Sequence, residues 1–567
     1  MNLRVPVKVV VVGFGMVGSR LVDELLRREP EAFDITVLGA EPYEPYNRVL
    51  LSDVVAGRTD VAAITMPLPD GARVNVRRGV TATSIDREAQ VVTADDGTSH
   101  PYDHLVLATG AAARIPPIPG LRRADGGLPA GVHALRNLDD AREIVAATVN
   151  SPRAVVVGGG VLGLEAAVGL AGRGLSVTLI HNVESLMERQ LDPEAADVVR
   201  SGLEGQGITV LPNCMSSEVL VAGGHAVGIR VQDNDAQAGG PSTGSGRRPT
   251  GSGQREEIVA ARLIVFSVGT IPETGLAAAA GLSTDRGIVV GYDLASPDDP
   301  CVHAIGDCAQ PPSGSRGLVA EGWDQARRLA ETLVSLVEPV VPVEPVPSVV
   351  ELVETGPTAH LRLPQDTAQP SMAVRLGALL TSGATMSRAQ SDQGIDTRGT
   401  DVVKVKAGAL SVTTMGVCGP SRPNAATQRA VRLADPRAGR YVEVVVSDGI
   451  LVGATCVGDP RVAADLTAAY TRRTPVPLDP AFLLLTPVMP TAAPASSPEH
   501  MPDDAVVCRC NGVTKGDIAG SCEAGAHTVD EVVRETRATT GCGSCKDAVC
   551  GLVDWLKESK EAVPEPA

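Results

Sequence analysis

Aromatic side chains are scarce in this sequence. Phe, Trp and Tyr make up only 2% of its 567 residues, so the core must be built from aliphatic side chains packed against glycine-rich turns. No apolar run reaches the ~18 residues that a membrane span needs, and the apolar start is too short for a signal peptide. The basic residues form no consecutive block and the formal net charge is -17, which argues against a nucleic-acid partner. We therefore expect a cytoplasmic protein that binds neither nucleic acid nor membranes.

Cysteine is absent from the first 213 residues, and all eleven cysteines follow that point. Their odd number and the expected reducing compartment argue against a disulfide framework. Single cysteines that we interpret as small packing residues are Cys214, Cys301, Cys308, Cys418 and Cys456, together with Cys522 and Cys550 near the end.

Four late cysteines have the spacing of metal ligands. They form the frame Cys508-x-Cys510 and Cys542-x2-Cys545. Four thiolates can hold a [2Fe-2S] cluster or close a structural zinc site. The C-x-C arm favours the cluster over zinc, and zinc stays as the alternative.

A nucleotide-binding turn opens the chain. The buried strand pattern "VKVVVV" runs into Gly13, Gly15 and Gly18, and a helix pattern follows. Glycines at these positions permit a tight turn, let a pyrophosphate approach the backbone and allow close helix packing. Glu41, 23 residues beyond Gly18, can accept hydrogen bonds from ribose hydroxyls. This unit predicts an adenine dinucleotide.

The same arrangement recurs about 145 residues downstream. Gly158, Gly160 and Gly163 form the second turn, and Glu165 lies just inside the following helix. The next strand ends at His181, where an acidic side chain would favour NADH and an arginine cluster NADPH. The choice between the two nicotinamide cofactors therefore stays open.

Three later fragments follow the pattern of a known architecture. They are "YDHLVLATGA" with Thr109 and Gly110, "ARLIVFSVGT" with Gly269, and "CVHAIGDCA" with Gly306 and Asp307. With the two glycine turns they resemble flavoprotein reductases of the glutathione reductase fold. The resemblance implies an α/β protein with two nested Rossmann-like domains. It also implies that the turns at Thr109-Gly110 and at Gly269 join these domains. Asp307 is implied to bind the ribityl chain of FAD.

A narrower resemblance comes from "YEPYNRVLLS", "LMERQLDPEA" and "GLVAEGWDQA". These segments resemble the front portion of assimilatory NAD(P)H nitrite reductase large subunits and the electron-transfer subunit of assimilatory nitrate reductase. The tail, with "CRCNGVTKGDI", resembles the small helical bacterioferritin-associated ferredoxin domain, which holds a [2Fe-2S] cluster. The resemblance implies that Glu165 lies by the nicotinamide. Arg48 is a candidate neighbour of the flavin, with a surface salt bridge as the alternative.

Composition shifts predict the domain limits. We expect an FAD-binding domain at 1–118 plus 286–336, an NAD(P)H-binding domain at 119–285 with a flexible insertion at 233–257, linkers at 337–371 and 487–504, an α+β interface module at 372–485, and a [2Fe-2S] domain at 505–558. The clearest signal in the module is a hairpin around a Ser-Asp-Gly turn.

These features predict an NAD(P)H-dependent FAD oxidoreductase. A nicotinamide delivers two electrons together, a flavin can release them singly and a cluster carries one at a time. The helix after the first turn has no cysteine pair to act as a dithiol relay, and the chain has no sirohaem ligand set. We therefore expect electrons to leave through the cluster to a separate terminal reductase, a molybdenum nitrate reductase or a sirohaem nitrite reductase, with the former favoured. The alternatives are a reductase of rubredoxin or ferredoxin and a flavoprotein oxidase with a zinc-held docking tail. A homodimer is left open.

Overall fold

The computed structural model describes residues 5–69, 71–234, 256–337, 399–421, 428–484, 501–508, 511, 513–540 and 545–561. Most of the predicted insertion at 233–257 and of both predicted linkers lies outside these residues, as do Cys510 and Cys542.

The first part of the chain alternates strands and helices. Its strands are β1 (Val7–Val12), β2 (Phe33–Gly39), β3 (Val74–Arg78), β4 (Ala82–Asp86), β5 (Val91–Ala94), β6 (Ser99–Pro101), β7 (His104–Leu107) and β8 (Ala111–Ala113). Its helices are α1 (Met16–Arg28), α2 (Leu51–Ala56) and α3 (Val61–Ile64).

The second part repeats this alternation and then returns to the first. Its strands are β9 (Val132–Ala134), β10 (Arg153–Val157), β11 (Ser176–Ile180), β12 (Thr209–Leu211), β13 (Cys214–Ala222), β14 (His225–Asp233), β15 (Glu256–Val259), β16 (Leu263–Phe266), β17 (Thr270–Pro272), β18 (Ile288–Val289), β19 (Ala295–Ser296), β20 (Asp299–Ala304) and β21 (Ala309–Gln310). Its helices are α4 (Leu138–Thr148), α5 (Val161–Gly172), α6 (Pro193–Glu204), α7 (Gly275–Ala279) and α8 (Val319–Val337).

Two parallel sheets carry the two predicted nucleotide units. The first has the strand order β19-β20-β7-β1-β2-β3, and the second has the order β12-β11-β10-β16-β9. Only β19 runs antiparallel to its neighbour. In each sheet the strand that ends in a glycine turn, β1 or β10, lies between a strand that follows it in sequence and one that comes much later. This is the topological switch point at which dinucleotides bind.

The two sheets are joined by packing as well as by the chain. Helix α2 of the first unit packs on α5 of the second, and Leu51, Val54 and Val55 are buried in one cluster with Leu164 and Ala167. This contact fixes how the first nucleotide unit faces the second.

A five-stranded antiparallel sheet with one helix follows. Its elements are β22 (Val403–Ala407), β23 (Leu410–Gly416), β24 (Gln428–Asp435), β25 (Arg440–Ser447), β26 (Ile450–Val457) and α9 (Pro460–Arg472), with the order β22-β23-β26-β25-β24. Asp448 and Gly449 both have positive φ values, 52° and 72°, as the two-residue turn of a β25-β26 hairpin requires. The hairpin predicted from Ser-Asp-Gly is therefore present.

The last part is small and mainly helical. It contains β27 (Val506–Cys508), β28 (Val513–Thr514), α10 (Lys515–Glu523), α11 (Val529–Thr536) and α12 (Lys546–Glu561). Thr514 with Asp517, and Thr528 with Glu531, form capping boxes at the starts of α10 and α11, which satisfies backbone donors that a helix start leaves unpaired.

Among the described residues, no helix combines the length and apolarity that crossing a membrane requires.

Candidate cofactor sites

The first glycine turn has room for a ligand only at its middle position. Gly13 has φ +114°, and a Cβ added there would lie 2.1 Å from the carbonyl oxygen of Ala108. A Cβ on Gly18 would lie 2.1 Å from the carbonyl oxygen of Gly13, whereas one on Gly15 would meet only Arg48, at 3.9 Å. Two glycines are therefore required by the protein itself, and the third leaves the open backbone that a pyrophosphate needs.

The second turn has the same geometry. Gly158 has φ +113°, and an added Cβ would lie 2.2 Å from the carbonyl oxygen of Ser267. One on Gly163 would lie 1.8 Å from the carbonyl oxygen of Gly158, and one on Gly160 would have nothing within 4 Å. Both turns open a helix, so both fit a dinucleotide whose pyrophosphate lies at the helix N-terminus.

Glu41 and Arg48 lie together beside the first turn. Arg48 Nη2 donates to Glu41 Oε1, and Tyr46 donates to Glu41 Oε2 at 2.7 Å. The guanidinium of Arg48 lies over the ring of Tyr46, 4.9 Å from its centroid, and burial raises the pKa of the Tyr46 hydroxyl. The carboxylate predicted to bind ribose is thus oriented by two neighbours, of which the sequence analysis did not identify Tyr46.

Thr109, Gly110 and Gly269 lie where the chain crosses between the two units. Strands β8 and β17 pair there, Thr109 Oγ1 donates to the Glu273 carbonyl at 2.8 Å, and Glu273 N donates to the Gly110 carbonyl at 2.9 Å. The Gly269 carbonyl accepts from Arg114 N at 2.9 Å. The predicted joining turns therefore hydrogen-bond across the crossover.

Asp307 is oriented by an ion pair that the sequence did not reveal. Arg136 Nη2 lies 2.6 Å from Asp307 Oδ2, and Arg136 Nε donates to the Ala111 carbonyl at 2.7 Å. Gly306 has φ +77°, and its N–H donates to the buried Gln325 at 2.7 Å. Arg136 lies far from Asp307 in sequence and in no motif, so sequence reasoning had no signal for the pair.

Glu165 is buried between the two units. It is 5% exposed, and Ser52 Oγ on α2 donates to its Oε2 at 2.6 Å. Helix α5 therefore brings the residue predicted to lie by the nicotinamide against the first unit. Ser52 lies within the "YNRVLLS" segment, which was the available signal.

His181 supports the second glycine turn. Gly159 N–H donates to His181 Nδ1 at 3.1 Å, and Nε2 lies 3.2 Å from Glu188 Oε2. Because Nδ1 accepts, Nε2 carries the proton and donates to Glu188. Glu188 follows His181 by seven residues and brings a carboxylate beside the strand end.

Cys508 and Cys545, the two described members of the cysteine frame, face each other. Both are buried, with Cys508 1% exposed. Hydrogen bonding with Cys545 lowers the pKa of Cys508 to about 6 against the effect of burial, and Asn511 and the Thr539 backbone lower it further. A thiol that ionises this readily fits a metal ligand. Within the described residues, no group of three or more candidate ligands forms a metal site.

The remaining cysteines differ in burial. Cys308, Cys456 and Cys522 are buried, as expected of packing residues, whereas Cys214, Cys301, Cys418 and Cys550 are only partly buried.

The C-terminal domain packs directly against the first nucleotide unit. Arg20 Nη1 on α1 donates to Asn511 Oδ1 at 2.7 Å, and Asn47 Nδ2 donates to the Thr540 carbonyl at 2.9 Å. Asp23 forms an ion pair with Arg537. Sequence reasoning missed this contact; only Asn511, directly after the C-x-C arm, and Asn47, beside Arg48, carried any signal.

Comparisons with known proteins agree with this geometry. Residues 7–328 match the family model of the pyridine nucleotide-disulphide oxidoreductases, and residues 506–555 match the BFD-like [2Fe-2S] binding domain. The second match favours the iron–sulfur cluster over zinc for the cysteine frame.

Among the relatives that match nearly the whole chain are two proteins of one organism. Nitrite reductase [NAD(P)H] of Bacillus subtilis (strain 168) is 30% identical over 96% of this chain and 57% of its own length. The assimilatory nitrate reductase electron transfer subunit of the same organism is 28% identical over 98% of this chain and 61% of its own length. The chain thus spans little more than half the length of these curated relatives.

A solved structure supports the fold. The covalent putidaredoxin reductase–putidaredoxin complex superposes with a TM-score of 0.62 at 21% identity, covering 85% of this chain and 96% of that chain. The predicted fold class and the predicted cofactors FAD, NAD(P)H and [2Fe-2S] are confirmed. The chain belongs to the pyridine nucleotide-disulphide oxidoreductase family, as an NAD(P)H-dependent FAD enzyme that carries a BFD-like [2Fe-2S] binding domain at residues 506–555.

Proposed function

We propose that this protein takes electrons from NAD(P)H and passes them through its C-terminal cluster to a separate terminal reductase of nitrate or nitrite assimilation, with assimilatory nitrate reductase as the receiving enzyme. The observation that carries the proposal is the contact of Asn511 and Thr540, next to the cysteine frame, with Arg20 and Asn47 of the first nucleotide unit. A cluster domain seated on the flavin-binding unit of the same chain suits an electron outlet.

The bound groups supply hydride transfer from the nicotinamide, two-electron acceptance by the flavin and one-electron carriage by the cluster. The protein binds and orients them. The open backbone at Gly15 and Gly160 would receive the two pyrophosphates, and Glu41, held by Arg48, would accept from ribose hydroxyls.

Two further carboxylates complete this assignment. Asp307, held by Arg136, would hold the ribityl chain, and Glu165, held by Ser52, would help to hold the nicotinamide. Bound nicotinamide and flavin would supply hydride chemistry that needs no protein acid or base, so each carboxylate would serve to hold its cofactor.

The outlet is tested by Cys542→Ser. We expect the variant to lose its cluster iron and acid-labile sulfide and its electron transfer to cytochrome c, while NADH still bleaches the flavin absorbance. Cys550→Ser is the matched control, because Cys550 lies on α12 outside the ligand frame and should keep both activities. Unchanged cytochrome c reduction in Cys542→Ser, at full flavin content, would contradict the proposed route.

The acceptor is tested by reconstitution. The purified protein, with NADH or NADPH, is mixed either with a molybdenum nitrate reductase or with a sirohaem nitrite reductase protein. We expect nitrite to form from nitrate in the first mixture. Ammonium formation in the second mixture, with no nitrite in the first, would instead assign the protein to nitrite reduction.

A further inference from the structure

Asn511 links a cluster ligand to the helix of the first nucleotide unit. Its Nδ2 lies 3.6 Å from Cys508 Sγ, and its Oδ1 accepts from Arg20 Nη1 at 2.7 Å. The same Nδ2 group lies 2.6 Å from the Arg537 carbonyl and 3.2 Å from Thr540 Oγ1. The amide is therefore held on both sides, with its N–H edge toward the sulfur and its oxygen toward a cation.

Arg20 is itself fixed and buried. It is 7% exposed, and its Nη2 lies 2.5 Å from Glu24 Oε1. Its guanidinium lies 5.9 Å from the centroid of the Trp323 ring. A cation held away from water acts more strongly on its neighbours than an exposed one, and here its nearest partner in the C-terminal domain is the amide that faces the sulfur.

The loop at 537–540 lies beside Cys508 and turns its backbone groups toward Cys508 and toward the first nucleotide unit. Arg537 and Thr539 both have left-handed backbone conformations, with φ values of 61° and 68°. Such conformations are costly for residues other than glycine and persist where the surrounding contacts require them. Here they bring the Thr539 backbone toward Cys508 and the Thr540 carbonyl to Asn47.

Hydrogen bonds to cluster sulfurs and nearby positive charge favour the reduced, more negative state of an iron–sulfur cluster. We propose that Asn511 and Arg20 are positioning residues that raise the reduction potential of the cluster held by Cys508 while the C-terminal domain rests on α1. The inference uses Cys508 as a cluster ligand, and it does not depend on which terminal reductase receives the electrons.

The test is an anaerobic redox titration of the full-length holoprotein, with the reduced cluster followed by electron paramagnetic resonance. We expect Asn511→Ala and Arg20→Met to shift the cluster midpoint to more negative potential. Arg20→Lys, which keeps the charge, should shift it less than Arg20→Met. The flavin midpoint, read from absorbance in the same titration, should stay unchanged in Asn511→Ala.

Arg27→Met is the matched control. It removes the same charge from the same helix, but its side chain is 53% exposed and is paired with Glu24 at 3.6 Å. If Arg20→Met titrates like Arg27→Met, or if its midpoint moves to more positive potential, the inference is overturned.

Loss of the cluster, in the variant or in the wild type, has a different meaning from an unshifted midpoint. Should Asn511→Ala lose iron, the Arg20 pair of variants decides, because Arg20 lies outside the C-terminal domain. A wild-type protein without any cluster signal would overturn both the ligand assignment and this inference, whereas an unshifted signal overturns the inference alone.

Discussion

At the scale of single residues, the glycines of the two turns are present for different reasons. Some are required by the backbone, and others leave space beside it. Gly13 and Gly158 adopt backbone conformations that L side chains rarely enter, and both lie against a carbonyl oxygen. Gly160 has ordinary extended dihedrals, φ -81° and ψ -179°, and open space around it. The fold therefore does not require glycine at this position, which supports the proposal that a pyrophosphate approaches the backbone here.

This distinction predicts the effect of Gly160→Ala. The fold should lose less than about 1 kcal/mol, because alanine replaces glycine at an N-cap without a clash. The new methyl group stands where the pyrophosphate must approach, so the Kd for NAD(P)H should rise about tenfold or more, equivalent to at least ~1.4 kcal/mol. Isothermal titration measures the Kd, and thermal unfolding measures the stability.

Gly172→Ala provides the comparison. Gly172 ends the same helix and also has nothing within 4 Å of an added Cβ, so its substitution should leave the Kd unchanged. An unchanged Kd in Gly160→Ala as well would remove Gly160 from the nucleotide site.

The glycines could be predicted because their role depends on local backbone geometry. The partners of the charged residues could not, because they come from distant parts of the chain. Asp307 is paired with a residue 171 positions away, and Arg20 with one 491 positions away. Such pairs depend on how the domains pack, which no local pattern encodes.

At the scale of elements, α1 serves two neighbours. Its N-terminus follows the first glycine turn, and its flank carries Arg20 and Asp23, which contact the C-terminal domain. The side chains of Asp23 and its partner Arg537 are 10% and 7% exposed. Burying a charge is costly even when it is paired, so this contact should respond to pH.

Asp23 gives the direction of that response. Burial raises its pKa to about 7, although the guanidinium of Arg537 acts in the opposite direction. Between about pH 4 and 7 the folded protein holds a proton that the unfolded chain has released. The stabilising contribution of Asp23 is complete below about pH 4 and is lost as the pH rises through about 7.

Asp23→Asn removes this dependence because asparagine does not titrate. As the pH rises from about 4 to 8, the unfolding free energy of the variant should gain on that of the wild type by a few kcal/mol, since each pKa unit corresponds to about 1.4 kcal/mol. Urea unfolding across this range measures the difference. Asp34→Asn removes a carboxylate at an exposed position of β2 and is the matched control for the loss of one negative charge. Parallel profiles for wild type and Asp23→Asn would refute the assignment.

At the scale of the whole molecule, the antiparallel sheet shares its core with the second nucleotide unit. Tyr441 on β25 is fully buried in a cluster with Leu179 and Leu203 of that unit. Its hydroxyl donates to Asp192, which also caps the start of α6. Arg432 adds an ion pair with Glu194 at 2.7 Å. The sheet therefore supports the helix that it covers.

Tyr441→Ala should accordingly destabilise the second nucleotide unit as well as the sheet. Loss of a large buried aromatic side chain costs about 3–5 kcal/mol, and calorimetry should show a lower Tm for the transition that NAD(P)H protects. Phe482→Ala removes an aromatic side chain that is 70% exposed and should change stability by less than about 0.5 kcal/mol. A Tyr441→Ala protein whose NAD(P)H-protected transition is unmoved would show that the two units unfold independently.

Features set by local patterns could be predicted from the sequence, whereas contacts between distant parts of the chain could not. Strand, turn and helix in each nucleotide unit, and the Asp448-Gly449 hairpin, follow from patterns within a few residues. The packing of the antiparallel sheet on α6 involves the contact between Asp192 and Tyr441, which are 249 positions apart. The domain limits drawn from composition stay predictions.

The double duty of α1 bears on chimeras of such enzymes. A C-terminal domain grafted onto another reductase loses its contact surface unless positions 20, 23 and 47 are transferred with it. The unit that must be exchanged is therefore larger than the fifty residues that carry the cysteines. It includes contact residues on α1, the helix that follows the first glycine turn.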